Sequence, residues 1–135
     1  MSNIKKIWGE LNNVFLHRQV KIDILTLEKN TGCSIHFHEH KINRFCLIRG
    51  KVKIKTDLGE KLLKKNEVFD VYPKTTHQFI ALQNSILIEI AFVDTGVLEE
   101  KDIIRKVQGG KFIKGKFYTL NKLKKENWNA IKNIK

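Results

Sequence analysis

The chain has 135 residues, 41% hydrophobic and 30% charged, with a formal net charge of +12 at pH 7. That length suits one domain around one core, and no run approaches the roughly 18 apolar residues that a membrane-spanning helix needs. Two cysteines, Cys33 and Cys46, make neither a disulfide framework nor a C-x-x-C pair. Of 26 basic residues only four are Arg. Readers of bases and phosphates favour the Arg fork, so the charge argues for a solvated, anion-steering surface and against nucleic acid. The opening MSNIKKIWGE is not followed by the apolar stretch of a secretory signal, and a cytoplasmic location is expected.

In chain order, residues 20–93 read as short strands. Val20, Ile22 and Ile24 alternate with Lys21, Asp23 and Leu25, the period-2 pattern of a strand. Asn30-Thr31-Gly32 is a turn signal; strands are predicted at 34–40 and 45–48, then 52–55 after Arg49-Gly50. Asp57-Leu58-Gly59-Glu60 marks another turn, 67–72 a strand before Pro73, and 85–93 the longest apolar strand. Strands at this spacing predict an all-β sandwich or barrel. Phe45, Leu47, Val52, Ile54, Ile86, Ile88, Ile90 and Phe92 are its expected core. From Asn121, a possible cap, Leu120, Leu123, Trp128, Ile131 and Ile134 recur every three or four residues, which predicts a short amphipathic C-terminal helix. The domain plan is one unit, 1–135: a barrel at about 20–93, a closing segment 94–112 and a basic helical tail 113–135. Exposed strand edges invite pairing, and a homodimer is expected.

Three of five histidines fall in Ser34-Ile35-His36-Phe37-His38-Glu39-His40. On a strand, residues i, i+2 and i+4 share a face, so His36, His38 and His40 would project together. Neutral imidazole is a good ligand for divalent metals, and His77, shortly after Pro73, offers a third nitrogen from a distant stretch.

Gly32-x-x-x-His36-x-His38, Asn43 and Gly50, followed by Pro73, His77 and Asn84, resemble the two motifs of the cupin superfamily, which implies a double-stranded β-helix (jelly roll). Residues 33–41 further resemble the histidine stretch in the isomerase half of type II phosphomannose isomerases, which occur fused to mannose-1-phosphate guanylyltransferases. Trp8-Gly9 resembles the opening of that domain, and Gly96 to Arg105 its closing motif. The resemblance implies a metal-dependent isomerase acting on a phosphorylated sugar, with His36, His38, Asn43 and His77 holding a divalent ion (Zn, Mn, Fe or Ni). Asn43 stands where the family has glutamate, and His36 where it has glutamine. His40 or Glu89 would serve as base and Arg105 as a catalytic and phosphate-binding group. Lys21 and Lys53 would be further phosphate anchors. Alternatives are another cupin enzyme, such as a sugar-nucleotide isomerase, an epimerase or an iron dioxygenase, or a non-catalytic metabolite sensor.

Overall fold

The computed structural model describes residues 3–125. Among them are β1 (Asn3–Lys6), β2 (Gly9–His17), β3 (Val20–Leu27), β4 (Thr31–Gly32), β5 (Ile35–Phe37), β6 (Ile42–Arg49), β7 (Val52–Thr56) and β8 (Gly59–Leu62). There follow β9 (Val68–Val71), β10 (His77–Ala81), β11 (Ser85–Phe92), β12 (Ile104–Val107), β13 (Gly110–Ile113), β14 (Lys116–Thr119) and the helix α1 (Leu120–Lys125). One sheet runs β1-β2-β3-β11-β6-β9; the other runs β12-β5-β10-β4-β13-β14, with β7 beside β10 and β8 beyond it. This is the expected jelly roll, as two facing antiparallel sheets that do not close into a single barrel.

The interior is apolar at one end and polar at the other. Leu25, Leu27, Phe45, Leu47, Val52, Ile54, Phe79, Ala81 and Leu87 fill the apolar end, none more than 5% exposed. Moving along the same inward faces, β3 continues to Asp23 and Lys21, β11 to Glu89 and Ala91, β6 to Asn43, and β10 to His77. Trp8, on the turn between β1 and β2, packs edge-to-face on Phe79 at 5.2 Å. Gly9 beside it is at φ 140°, and a Cβ there would run into the carbonyl oxygen of Thr26, so the position requires glycine.

Half of the expected core stands corrected. Phe45, Leu47, Val52 and Ile54 are buried as read, but β11 has the opposite facing. Its ladders with β3 and β6 pair Leu87 with Leu25 and Leu47, and Glu89 with Asp23 and Phe45. Ser85, Leu87, Glu89 and Ala91 therefore point inward, and Ile86, Ile88, Ile90 and Phe92 form the outer face. The tail also differs from its expected boundaries. Residues 110–119 form the β13–β14 hairpin, and helix begins only at Leu120. Leu120 and Leu123 are buried, and the Lys122 N–H points to the Thr119 hydroxyl at 3.5 Å, which places the cap at Thr119 and not Asn121. Trp128, Ile131 and Ile134 lie outside the described residues.

Truncating Leu87 to Ala should cost about 2–5 kcal/mol in urea unfolding, and truncating Ile88 distinctly less. Equal costs would contradict this facing.

Candidate metal centre

His36 and His77 are directly opposed in the β5–β10 ladder, so both rings stand on the inner face of one sheet. Residues 74–76 aim His77: the Lys74 N–H donates to the His38 carbonyl at 2.6 Å, and the Asp57 N–H to that of Thr76 at 3.1 Å. His38 lies one residue past the end of β5. The three ring centroids are 4.4, 4.9 and 5.4 Å apart. One ligand nitrogen from each histidine lies within 4.8 Å of the others.

Each imidazole has its Nδ1 committed to a backbone carbonyl. The partner of His36 is Ser34 at 2.9 Å, that of His38 is Asp102 at 2.6 Å, and that of His77 is Thr75 at 2.9 Å. A carbonyl only accepts, so Nδ1 carries the proton in His38 and His77. His36 Nδ1 also meets the Ser34 hydroxyl at 2.8 Å, which accepts from it when Nδ1 is protonated, and that form leaves each Nε2 a lone pair. Burial, reinforced by the neighbouring His77 and His38, pushes the pKa of His36 down to about 2. Burial likewise pushes His38 down to about 4, against the Asp102 carbonyl, and lowers His77. The rings are thus neutral, the form that binds metal.

The facing sheet supplies Asn43 and Glu89. Asn43 Nδ2 donates to His38 Nε2 and to Glu89 Oε2, each at 3.2 Å. Its Oδ1 and His77 Nε2 are buried without a hydrogen-bond partner. Orphaned buried acceptors are costly, and two of them at the convergence of three neutral imidazoles fit a cation. Glu89 has its pKa raised to about 7 by burial and then by the adjacent Asp23. Asp23 is 4% exposed and is held by Asn13 Nδ2 at 2.9 Å and Lys21 Nζ at 3.7 Å.

The other expected residues divide. Arg105 faces His36 in the β5–β12 ladder and adds to the charges that keep His36 neutral, which puts it at the rim. Lys21 lies on the inner face, also 3.9 Å from Glu100. Two expectations need correction. The strand stops at Phe37, and His40 is exposed on a bend facing an outer cleft with Tyr72, Pro73 and Asp94; it does not join the other rings. Lys53 alternates with fully buried Val52 and Ile54, faces outward and pairs with Glu60 at 3.3 Å. Sequence reasoning missed Lys41, whose half-burial lowers its pKa beside Asp102 and Glu89, and Asp102 itself. Parity was the available signal for Lys41, two residues before Asn43 on an inward face.

A jelly roll with three inward imidazoles and polar groups on the opposing sheet defines a cupin. The chain belongs to the family described as mannose-6-phosphate isomerase C-terminal, whose model matches residues 1–108. It is 27% identical over 101 residues to mannose-1-phosphate guanylyltransferase of Escherichia coli K12, covering 73% of this chain and 20% of that protein. Against the Salmonella typhimurium enzyme ManC it is 25% identical with the same coverage. The chain thus spans about a fifth of these relatives' length. Among solved structures, the Streptomyces nucleoside dehydratase Pac13 is similar with a TM-score of 0.66 and 10% identity, covering 79% of this chain and 84% of that one. Oxalate decarboxylase of Bacillus subtilis matches with a TM-score of 0.66 and 14% identity, over 78% of this chain and 30% of that one. At such identities these two attest to the fold alone.

The pKa shifts fix opposite pH dependences. The imidazoles are depressed below the ordinary 6.5, so the unfolded chain takes protons first. The stability they contribute is present above pH 6.5 and is lost as pH falls toward 4 and then 2. Glu89 is raised from 4.5, so its contribution is present below pH 4.5 and is lost as pH rises through about 7. In denaturant titrations of metal-free protein, His36→Gln should gain on the wild type as pH falls and Glu89→Gln should gain as pH rises. A pH-independent difference for either variant would mean that the group is not buried as described.

Proposed function

We propose that this protein is a divalent-metal-dependent isomerase acting on a phosphorylated sugar. The observation carrying this reading is the convergence of three neutral imidazoles, with His77 Nε2 and the Oδ1 of neighbouring Asn43 buried and unpartnered, beside a carboxyl group of near-neutral pKa. His36, His38 and His77 are the ligands, with Asn43 Oδ1 a weaker oxygen donor at the position where the family has a carboxylate. The ion would supply an electrophile for the carbonyl and adjacent hydroxyl oxygens of the sugar.

Glu89 is the base. In the aldose-to-ketose direction its carboxylate takes the proton from the carbon next to the carbonyl. The C–H electron pair forms a carbon–carbon double bond as the carbonyl oxygen takes the proton of the neighbouring hydroxyl. Glu89 then returns its proton to the former carbonyl carbon while the neighbouring hydroxyl becomes the new carbonyl. A group titrating near 7 suits both transfers. Asp23 keeps it there, and Asn43 orients it through Oε2. Arg105 and Lys21, joined by Lys41, surround the opening with positive charge for the phosphate.

Chelated protein supplied in turn with Zn, Mn, Fe or Ni should convert mannose 6-phosphate to its ketose isomer with at least one of them. Glu89→Gln should lower kcat about 10²–10⁴-fold, and His38→Ala should abolish metal binding with the fold intact. Full metal content in His38→Ala would refute the ligand set. No turnover with any ion would refute the isomerase.

We also propose that the protein is a homodimer, joined through the outer face of the first sheet. On β3, β11 and β6 that face carries Ile22, Ile24, Ile86, Ile88, Ile90 and Phe92 and no lysine; its Arg44 is held bidentately by Asp70 at 2.7 and 2.9 Å. Two copies of a +12 chain can meet there without setting lysines against each other, and a stable dimer needs about 800 Å² of each partner. Sedimentation at micromolar concentration should find a dimer, and Ile88→Lys a folded monomer. A monomeric wild type would refute the interface.

A further inference from the structure

We propose that Asp102 is a positioning residue for the metal centre, setting the orientation and tautomer of His38 and, through them, the affinity of the site for its ion. The proposal rests on the metal reading above.

His38 differs from the other two ligands in lying outside any strand. His36 and His77 are each gripped by a ladder, whereas β5 ends at Phe37 and the chain bends immediately afterwards. Sheet hydrogen bonding therefore does not determine where the His38 ring points. Asp102 supplies what the sheet does not. Its backbone oxygen accepts the His38 Nδ1–H at 2.6 Å. Its Oδ1 accepts the N–H of Glu39 at 2.7 Å, and its Oδ2 those of His40 at 3.0 Å and Lys41 at 3.1 Å. One residue thus binds the ligand ring and the three residues that follow it. Burial opposes the charge on this carboxylate, but the three donors outweigh burial and hold its pKa below the usual carboxylate value.

Asp102 is itself fixed at a reverse turn, its N–H donating to the Glu99 carbonyl at 3.2 Å. Two residues later the chain enters β12, where Ile104 pairs with Phe37 and Arg105 with His36. The closing segment is therefore tied to the histidine strand on both sides of His38. Partners of this kind, which orient a ligand through its second ring nitrogen, typically change metal affinity about 10–100-fold when removed.

The test compares Asp102→Ala, Asp102→Asn and a control, Asp70→Asn, which breaks the Arg44 ion pair on the outer face. Zn affinity is measured by competition with a chelating dye, the cobalt absorption spectrum is recorded, and histidine tautomers in metal-free protein are read by nitrogen-15 NMR. Asp102→Ala should weaken Zn binding about 10–100-fold and alter the cobalt spectrum. Asp102→Asn, which keeps one acceptor oxygen, should fall between it and the wild type. Asp70→Asn should bind as the wild type does. Alanine keeps the residue 102 carbonyl but releases residues 39–41. In metal-free Asp102→Ala the His38 bond to that carbonyl should therefore loosen and its pure Nδ1–H form be lost, while His36 and His77 keep theirs; if that variant does not fold, the same comparison is made on Asp102→Asn. Unchanged affinity and an unchanged His38 tautomer would overturn the proposal, as would an affinity loss shared equally by Asp70→Asn. If the wild type binds no metal, the metal reading falls, and the tautomer measurement still decides whether Asp102 positions His38.

Discussion

Three imidazoles enclosed between apolar sheets are tolerable only if each is neutral and each ring N–H has an acceptor, and much of the arrangement follows from meeting that condition. A buried imidazolium beside two others would face both desolvation and mutual repulsion. Neutrality leaves one donor and one acceptor per ring. The donors are met by carbonyls of residues 34, 75 and 102, drawn from the start of the histidine strand, the loop before β10 and the closing segment. These three stretches are far apart in sequence, so building the centre and closing the sandwich are one event. Of the acceptors, His38 Nε2 takes the Asn43 amide N–H and His77 Nε2 is left buried without a partner, which is costly for a protein with no ion to offer it.

The same condition organises the facing sheet. In place of the family's glutamate ligand stands Asn43, and the carboxyl group nearest the centre is Glu89, reached through the Asn43 amide. A carboxylate in direct contact with a dication would be held ionised and unable to exchange protons near neutrality. Set back by one amide, and with Asp23 behind it, Glu89 keeps a pKa near 7. On the proposed reading, asparagine in place of glutamate would weaken the grip on an ion and separate the ligand role from the proton-transfer role.

How much of this was legible in the sequence depends on whether period 2 was interrupted. His36 and His38 stand out because polar residues recur at alternate positions in a short strand, and the motif around Pro73 led to His77. On β11, SILIEIAF, apolar residues occupy both faces, and Glu89 was the one informative departure. Isoleucines were assigned inward on hydrophobicity, whereas the ladders with β3 and β6 put them outside. Glu89, a candidate base, is paired with Asp23 and Phe45 and faces inward. His40 failed for a local reason: a strand was extended past Phe37, and period 2 has no meaning on the bend that Asp102 caps. Asp102 stands in the Gly96-to-Arg105 closing motif, but its role was not legible, because its partners are backbone N–H groups of residues 39–41, more than 60 positions away, and backbone donors leave no pattern in side-chain identity.

Charge completes the argument about ligand class. The donor set is neutral throughout, three imidazoles and an amide, so a bound dication keeps its full positive charge, undiminished by a ligating carboxylate. Arg105 lies opposite His36 on β12, and Lys21 and Lys41 lie near Asp23, Glu89 and Asp102. Glu89 sits deeper and is half protonated near neutrality. On the proposed reading, a dication with Arg105 and the two lysines would outweigh the nearby Asp23, Glu100 and Asp102 and favour anionic ligands. Few neutral metabolites would repay that concentration of charge in desolvation, while a phosphate monoester does so directly through charge-assisted hydrogen bonds. On the proposed reading, the carbonyl end of such a molecule would reach the imidazole centre, where Glu89, with its pKa raised to about 7, would take a proton and give it back.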